Sequence, residues 1–479
     1  MGVRTLLCVA ALAATPAFAV TDSDRIAVYK EFLSQFNARQ YAAAQPLAEK
    51  LVQLTEQQYG TDELQLSTPL SNLATVHLRL GNYPAAIENF RRSLTILQTK
   101  STIADKAQIA PLHGLGVSLL RSNDPESAVV ALKHAADLSR NTDGLYNINQ
   151  VEFIDALVDA YAATGRYVEA DKESQYALRV EEAAYGRNSP KLIDRLDKLA
   201  RWLEADRRYT SERNVYERSL AILARAGAGN DMRRVPPLRG IARSFRLEAF
   251  YGTEGADNGA TFNSGNNGAP TFAEGTSQRR GESSLTSALE VIDSNSPVDQ
   301  LARGAVLADL GDWYLIQNQN RRAYENYAES WKSFAAAGDT HYLEAPRVLA
   351  TRPSISSVDR SQIDPSEAVV KEVELHFAID RDGRVDDVTS PTTDVPEAIV
   401  RNSVASMRRS RFAPRIENGA PAPTGNYVFI ERVLVRVKSP EGDSSSSGKA
   451  EKSAPAQTPA EAPEAPKPEE KPPEKSQFR

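Results

Sequence analysis

The histidines are the residues of this chain best suited to proton transfer or metal binding, and their surroundings favour neither. An imidazole titrates near neutral pH and ligates metals readily. The chain has five histidines: His77, His113, His134, His341 and His376. The first three fall in segments of helical periodicity, where a structural role explains them. The sequence contains no His-Glu-x-x-His pair, nucleophile elbow or phosphate-binding glycine loop, and we therefore predict that the chain is not an enzyme.

One short acidic segment is similar to a metal site at its start only. Asp380, Asp382 and Gly383 imitate the beginning of a calcium-binding loop. Arg384 follows them, and the acidic residue that should close such a loop is missing. A β-hairpin turn explains Asp382-Gly383 better. The sequence thus predicts no metal ion and no other cofactor.

Residues 1–19 have the features of a secretory signal peptide. Arg4 supplies the positive charge, Leu6 to Ala14 form the apolar run, and Ala17-Phe18-Ala19 form a small-x-small cleavage site. We predict cleavage after Ala19 and a location in the periplasm of a Gram-negative bacterium. The apolar run is too short for a permanent transmembrane helix. No later segment is apolar enough to span a bilayer, so we expect no stable membrane insertion.

Cysteine content and charge exclude further classes of function. Cys8 is the only cysteine, and it lies in the segment that is expected to be removed. The mature chain would then have no disulfide, thiol nucleophile or cysteine metal ligand. The net charge is −6, and the loss of Arg4 makes it −7. A mildly acidic chain with few basic clusters argues against nucleic acid as the main ligand.

Self-similarity with a period of 42 residues dominates the region 20–338. The nodes of this period are Tyr41, Tyr83, Pro125, Tyr167 and Tyr209. The residues three positions after the nodes are Ala44, Ala86, Ala128, Ala170 and, breaking the pattern, Glu212. A second series of glycines, Gly60, Gly144 and Gly186, suits the left-handed residue that follows a helix. Apolar residues at spacings of three and four predict two helices per unit, stacked into a repeat array.

These repeats resemble the tetratricopeptide repeat, in a long form of the kinesin light chain type. The resemblance is carried by Gly81-Asn82-Tyr83, Gly165-Arg166-Tyr167, Gln58-Tyr59-Gly60-Thr61-Asp62 and Ala184-Tyr185-Gly186-Arg187-Asn188. The usual repeat has about 34 residues, and roughly eight more residues add about one turn to each helix. The resemblance covers residues 25–228. It implies a right-handed α-solenoid that binds proteins or peptides.

Two more helical hairpins are predicted after the fifth repeat. The first begins at Leu238 and resumes at Leu285, and the second runs from Leu307 to Trp331. An insertion at 252–281, rich in Gly, Asn, Ala and Thr, separates the halves of the first hairpin and has the composition of a surface loop. A tolerated insertion is the simplest interpretation. A partner-binding loop and an unrecognised catalytic site in the loop are the alternatives.

The resemblance also implies that the first helix of each unit lines the concave face of the solenoid. In that phase the lining includes five basic residues: Lys198, Arg201, Arg239, Arg243 and Arg246. Asp155 and Asp159 occupy equivalent positions one unit earlier. Because arginine binds carboxylates through two hydrogen bonds, the groove is predicted to bind an acidic peptide or a C-terminal carboxylate. In the alternative interpretation, the charges pair with one another between adjacent units.

A second, smaller domain is predicted at 365–438, after a linker at 339–364. Alternating apolar and polar residues from Val373 to Ile379 predict a half-buried strand, and a hairpin turn leads to the next strand. Asp394 is the predicted N-cap of a helix, and the last strand begins at about Tyr427. The order is β-β-α-β. The whole chain is therefore predicted to be mainly α, with a small α+β domain.

Residues 365–438 resemble the C-terminal domain of TonB-type energy transducers. The resemblance is carried by the strand 373–379, Asp382-Gly383-Arg384-Val385, Arg411-Phe412-Ala413-Pro414 and Asn418-Gly419. It implies capture of an extended peptide by strand addition at a sheet edge. The candidate edge is the last strand, with Tyr427, Phe429, Val433 and Val435. An energy transducer has a membrane helix and a Pro-rich spacer before this domain, whereas here the Pro-rich segment follows it, so we expect binding without energy coupling.

The tail at 439–479 is rich in Pro, Glu, Lys and Ala and is predicted to be disordered. The sequence as a whole predicts a periplasmic protein–protein interaction scaffold. One partner would bind in the concave groove, and an extended peptide would bind at the C-terminal domain. The alternative is an accessory of TonB-dependent outer-membrane transport that engages transporter peptides. The expected partners are envelope proteins or peptides and not nucleic acids, and no oligomeric state is indicated.

Overall fold

The computed structural model describes residues 22–100, 106–251, 276–351 and 368–436. These residues form a solenoid of helical hairpins, followed by a small module of strands with two helices. The fold is mainly α, as the sequence predicts. Four predicted segments lie wholly or partly outside the described residues: the signal peptide, the insertion up to 275, the linker from 352 to 364 and the tail.

The solenoid is built from pairs of helices joined by short turns. In chain order the helices are α1 Asp22–Asn37, α2 Tyr41–Tyr59, α3 Ser67–Arg79, α4 Tyr83–Lys100, α5 Ile109–Arg121, α6 Pro125–Asp143, α7 Val151–Ala163, α8 Tyr167–Tyr185, α9 Ile193–Ala205, α10 Tyr209–Arg225, α11 Val235–Tyr251, α12 Thr276–Asp293, α13 Gln300–Ile316 and α14 Asn320–Ala336. A 3-10 turn precedes α3, α5, α7, α9 and α11, at Leu64–Leu66, Lys106–Gln108, Ile148–Gln150, Pro190–Leu192 and Met232–Arg234.

The period seen in the sequence marks the same structural point in each unit. The nodes are the first residues of the second helices: Tyr41, Tyr83, Pro125, Tyr167 and Tyr209. Gly60, Gly144 and Gly186 directly follow α2, α6 and α8, with φ angles of 106°, 91° and 88°. A left-handed φ is strained for residues with a Cβ atom, so glycine is required where the chain leaves these helices.

Small residues allow the helices to pack closely. Ala44, Ala86, Ala128 and Ala170 are fully buried, one turn into each second helix. Glu212 occupies the same position in α10 and is also fully buried. A carboxyl group therefore lies where the other repeats place a methyl group.

The hairpin of α11 and α12 corrects the predicted end of the insertion. The insertion was expected to extend to Gly281, but α12 begins at Thr276. Gly281 is therefore a helical residue. It is glycine because a Cβ atom there would lie 2.2 Å from Cη2 of Trp313 on α13. The sequence suggested a loop because glycine is also the commonest loop residue.

The segment predicted as a linker contains regular structure. It forms α15, His341–Glu344, and β1, Arg347–Ala350. The rest of the module consists of β2 Ala368–Ile379, β3 Val385–Thr389, α16 Glu397–Met407, β4 Arg411–Ala413, β5 Arg415–Glu417, β6 Ala420–Ala422 and β7 Thr424–Arg436. The main sheet has the order β3-β2-β7, while β1 pairs with β4 and β5 pairs with β6. All of these pairings are antiparallel.

The predicted β-β-α-β order holds for the longer elements, but two details are wrong. The short strands β4, β5 and β6 were not predicted, because three residues are too few to show an alternating pattern. Asp394 is not the N-cap of α16, since the helix begins at Glu397 and Pro396 precedes it. The carboxylate of Asp394 instead lies 2.8 Å from Nζ of Lys371 on β2.

The module and the end of the solenoid share a hydrophobic core. Ala413 and Ile416, from β4 and β5, belong to the same buried cluster as Leu343, Leu349 and many residues of α11–α14. A second core inside the module contains Val373, Leu375, Phe377 and Phe412. The hydroxyl of Tyr324 on α14 also donates to Asp382 in the β2–β3 turn. The module is therefore packed directly onto the last helical hairpin.

Candidate functional site

The first helices of the last three hairpins, α9, α11 and α13, face a common cavity of about 440 Å³. Strand β1 borders the same cavity through Arg347 and Val348. The cavity contains four of the five predicted basic residues and one additional arginine: Arg201, Arg239, Arg243, Arg246 and Arg347. We call it the arginine cavity. Lys198 is not part of its lining.

Most of the predicted basic residues are paired with carboxylates. The pairs are Lys198–Asp155 at 2.6 Å, Arg201–Asp197 at 2.9 Å, Arg239–Asp309 at 2.5 Å and Arg243–Glu204 at 2.6 Å. All but the Arg201 pair join first helices of adjacent hairpins. Asp159, the other acidic residue of the predicted lining, has its pKa raised by burial and by the charge of Asp155. The interpretation that these charges pair between units is therefore correct for Lys198, Arg239 and Arg243.

Arg246 and Arg347 differ from the other basic residues, because they share one carboxylate. Nη2 of Arg347 lies 2.8 Å from Oδ1 of Asp312, and Nη1 of Arg246 lies 3.6 Å from Oδ2. The hydroxyl of Tyr327 also donates to Oδ1 of Asp312, at 2.8 Å. Burial alone would lower the pKa of Arg347, but the negative charge of Asp312 outweighs it and the pKa is raised. Two guanidinium groups thus face a single carboxylate.

Glu212, on α10, is not part of the cavity lining. Burial, followed by the charge of Glu204, raises the pKa of Glu212 to about 9. Its two carboxyl oxygens have no hydrogen-bond donor among the described residues. Its surroundings therefore favour the neutral form of the carboxyl group. Counting the lining residues and their ion-pair partners, five arginines face the four carboxylates of Asp197, Glu204, Asp309 and Asp312.

Aromatic side chains form the apolar part of the cavity wall. Tyr216, Trp313 and Tyr342 belong to the lining. Gly240 on α11 allows Tyr216 to approach, since a Cβ atom at Gly240 would lie 2.2 Å from Cε2 of the tyrosine. The cavity therefore combines one unmatched positive charge with aromatic surface. This combination suits the binding of an acidic group attached to an apolar one.

Strand β7 is the second candidate site. It pairs with β2 along its length, from Ala368 opposite Arg436 to Ile379 opposite Thr424. Within the described part of the chain no strand pairs with its other side. The backbone N–H and C=O groups on that side can accept an added strand.

The predicted edge residues lie on β7, but their side chains face the core. Successive side chains of a strand point to opposite faces. Tyr427, Phe429, Val433 and Val435 pack into the core of the module with Leu375 and Phe377. Val428 and Ile430 of β7 are instead exposed apolar residues, with 47% and 54% of their surface accessible. Only the backbone of the predicted residues could meet an added strand.

Sequence reasoning missed Arg347, Val428 and Ile430. Arg347 lies in the segment expected to be a linker, and a strand of four residues gives no periodic signal. The alternation along β7 could have separated the face that carries Val428 and Ile430 from the core face.

Metal binding finds no support in the described ranges, which contain no group of three or more His, Cys, Asp or Glu side chains arranged to hold an ion. None of the helices in these ranges is both long and apolar enough to span a bilayer. The geometry of both candidate sites is suited to binding by charge, aromatic contact and strand pairing.

Comparison with known proteins identifies the repeat. A family model described as tetratricopeptide repeat matches residues 34–99, which confirms that predicted resemblance for this stretch. No curated protein matches the chain. The predicted resemblance of 365–438 to the TonB C-terminal domain stays a prediction.

Several solved structures are similar to the chain over part of its length. Kinesin light chain TPR-like repeats from Podosopora anserina are 17% identical and cover 43% of this chain and 97% of their own, with a TM-score of 0.39. A signal transduction ATPase with a tetratricopeptide repeat sensor from Pyrococcus horikoshii is 12% identical and covers 66% of this chain and 43% of its own, with a TM-score of 0.44. Aspartyl phosphate phosphatase F from Bacillus subtilis is 9% identical and covers 64% of this chain and 71% of its own, with a TM-score of 0.36.

Proposed function

We propose that the chain is a protein-interaction scaffold of the periplasm. It holds one partner in the groove formed by the first helices, and it binds an extended peptide along β7. The observation that supports the groove best is that α9, α11 and α13 face one cavity that contains four of the five predicted basic residues. The proposal assigns no reaction to the chain.

The basic residues of the groove can exchange their intramolecular ion pairs for contacts with an acidic partner. The side chains of Lys198, Arg201 and Arg243 are 51%, 62% and 40% exposed within their ion pairs. Exposed ion pairs contribute little to stability, about 0–1 kcal/mol each. An acidic partner can therefore compete for these basic side chains at low cost to the fold. Such charges would mainly set the specificity and the rate of association.

The periplasmic location is supported by the sequence of residues 1–19. A positive residue, an apolar run and a small-x-small site occur there in the order of a secretory signal. Fusion of this segment to a reporter that is active only after export would test the location. Retention of the reporter inside the cell would contradict it.

The groove is tested by capture from an envelope extract, quantified by mass spectrometry. The bait is the mature chain as wild type, as Arg201→Glu, and as Arg321→Glu. Arg321 is the matched control, because it too is an exposed arginine paired with an acidic residue four positions away on its own helix. We expect Arg201→Glu to lose the main partner and Arg321→Glu to retain it. Equal capture by all three baits would refute the groove proposal.

The open edge of β7 supports peptide binding as a second activity, which includes the accessory role in TonB-dependent transport. That role requires transporter peptides to add a strand to β7. Deleting residues 365–438 is a poor test, because β4 and β5 belong to the core of the last hairpin. Ile430→Lys on the exposed face of β7 is the better variant. Transporters that co-purify with the wild type and not with Ile430→Lys would support the accessory role, and their absence from both would count against it.

A further inference from the structure

We propose that Arg246 and Arg347 form a pocket for a single carboxylate group of a ligand. The inference rests on the proposed groove and names the chemical group that this groove binds. Arg246 belongs to α11, and Arg347 belongs to β1. The pocket therefore exists only because the strand that follows the solenoid folds back onto its first helices.

The pocket carries an unmatched positive charge. Arg246 and Arg347 are only 12% and 17% exposed, and they share Asp312, which is 5% exposed. Two cations and one anion are thus largely removed from water. A desolvated charge without its own counter-ion is unfavourable. An anionic ligand would restore the balance.

Arg246 also lacks the hydrogen bonds that its side chain can make. A guanidinium group has five N–H donors in a planar fork. The nearest carboxylate oxygen, of Asp312, is 3.6 Å away, which is too long for a hydrogen bond. Nε of Arg246 is buried without an acceptor among the described residues. A carboxylate that enters the arginine cavity can approach this guanidinium and accept two parallel bonds.

Unlike Arg246, the other arginines of the cavity can bind a ligand carboxylate only if it displaces the carboxylate that they already hold. Arg201, Arg239 and Arg243 each have a carboxylate within hydrogen-bond distance. Their partners would repel a second anionic group of the ligand. The charge balance therefore specifies one carboxylate. The volume of about 440 Å³ leaves room for the group that carries it, in contact with Tyr216, Trp313 and Tyr342.

Thermal unfolding of the full mature chain tests the pocket with defined probes. The small probes are acetate and benzoate, each compared with its amide at equal ionic strength. The peptide probe is a random-sequence tripeptide pool of Gly, Ala, Ser, Val and Phe with a free C-terminus, compared with the same pool amidated. Binding to the folded state raises Tm, so we expect the carboxylates to raise Tm and the amides to leave it unchanged. A Tm increase with the small acids alone would mean that the ligand is a metabolite-sized acid. A Tm increase with the free-acid peptides would mean that the ligand is the C-terminus of a peptide or protein.

Arg246→Gln separates a ligand site from a structural role. This change removes the unmatched charge, so we expect the unliganded Tm to rise or stay constant and the carboxylate affinity to fall about tenfold or more. The matched control is Arg213→Gln. Arg213 is similarly buried, but it is 3.0 Å from the Glu248 carboxylate. Arg213→Gln should lower Tm and leave the response to carboxylates intact.

Four results would overturn the pocket. The first is the absence of any difference between acids and amides. The second is an Arg246→Gln variant that still responds to carboxylates or loses as much Tm as Arg213→Gln. The third is a response that emerges only after Glu254, Asp257 and Glu274 of the insertion are changed to Gln, since an internal carboxylate would then be the occupant. If Arg201→Glu loses its captured partner while Arg246→Gln keeps it, the pocket fails and the proposed groove stands.

Discussion

Glu212 shows how one residue can set the pH response of the solenoid. Four other repeats place alanine at this position, fully buried between helices. Burial and the neighbouring Glu204 raise the pKa of the Glu212 carboxyl to about 9, from 4.5. The folded chain therefore retains a proton that the unfolded chain loses at a much lower pH. Between the two values each rise in pH favours the unfolded state.

The contribution of Glu212 to the free energy of unfolding should fall as the pH rises from about 4.5 towards 9. This group alone contributes a slope of about 1.4 kcal/mol per pH unit in that window. Glu212→Gln cannot titrate and should lack this component. Urea unfolding at several pH values between about 5 and 8 measures the difference, with Glu325→Gln on the surface of α14 as the control. Parallel profiles for wild type and Glu212→Gln would show that the buried carboxyl does not govern the slope.

The packing of Gly281 predicts whether Gly281→Ala raises or lowers the free energy of unfolding. In an open helical position, Gly→Ala stabilises by about 0.5–1 kcal/mol. At Gly281 the added methyl group would overlap the ring of Trp313. We expect Gly281→Ala to lower the free energy of unfolding by roughly 1–3 kcal/mol. Gly229→Ala is the control, because no atom lies within 4 Å of its added Cβ, and a stabilised Gly281→Ala chain would show that α12 does not pack as described.

Strand β7 has two faces with different roles. One face completes the core of the module, with Val433 only 5% exposed, and the other presents Val428 and Ile430 to solvent. Arg432 lies on the exposed face and is 3.3 Å from Glu372 on β2. A long apolar strand with an unpaired side favours the addition of another strand. In the proposed complex, the exposed face would supply side-chain contacts to the added strand, and the backbone would supply the hydrogen bonds.

Lysine substitutions should distinguish these two faces. Ile430→Lys is expected to change the stability of the module by less than about 0.5 kcal/mol. Val433→Lys should cost roughly 2–4 kcal/mol, because it buries a charged group in the core. Hydrogen exchange of the β2 and β7 amides measures both effects within the full chain. Equal destabilisation by the two changes would mean that the faces of β7 are wrongly assigned.

The elements show which features could be predicted from sequence. The 42-residue period located the second helices correctly, since Tyr83 and Tyr167 begin α4 and α8. Periodic patterns record local structure, so they cannot reveal that β1 pairs with β4, far along the chain. Four of the five arginines of the cavity lie on helices with a periodic pattern, and these four were predicted. Arg347 lies on β1, which has no such pattern, and it was not predicted. Gly281 was placed in a loop because its requirement comes from a tertiary contact with Trp313.

At the scale of the whole molecule, the solenoid and the C-terminal module depend on each other. A boundary at residue 338 was predicted, but Leu343, Leu349 and Ile416 beyond it pack in the core of α11–α14. Residues on both sides of that boundary also line the arginine cavity. The module therefore completes the wall of the arginine cavity.

A chain that ends at Gly338 should have a destabilised last hairpin. The truncation removes β1, β4 and β5 and exposes the apolar surface that they cover. We expect faster hydrogen exchange in α13 and α14, because local stability follows buried apolar contacts. Exchange in α3 and α4, at the other end of the solenoid, should be unchanged. Full protection of α14 in the truncated chain would show that the module is an independent appendage.

The central claim is that the first helices of the solenoid hold a partner. Hydrogen exchange of the mature chain, alone and in complex with the partner captured from the envelope, tests it most directly. We predict new protection concentrated in α9, α11 and α13, with α8 and α14 unchanged. Protection confined to α8 and α14, with α11 unaffected, would contradict this claim.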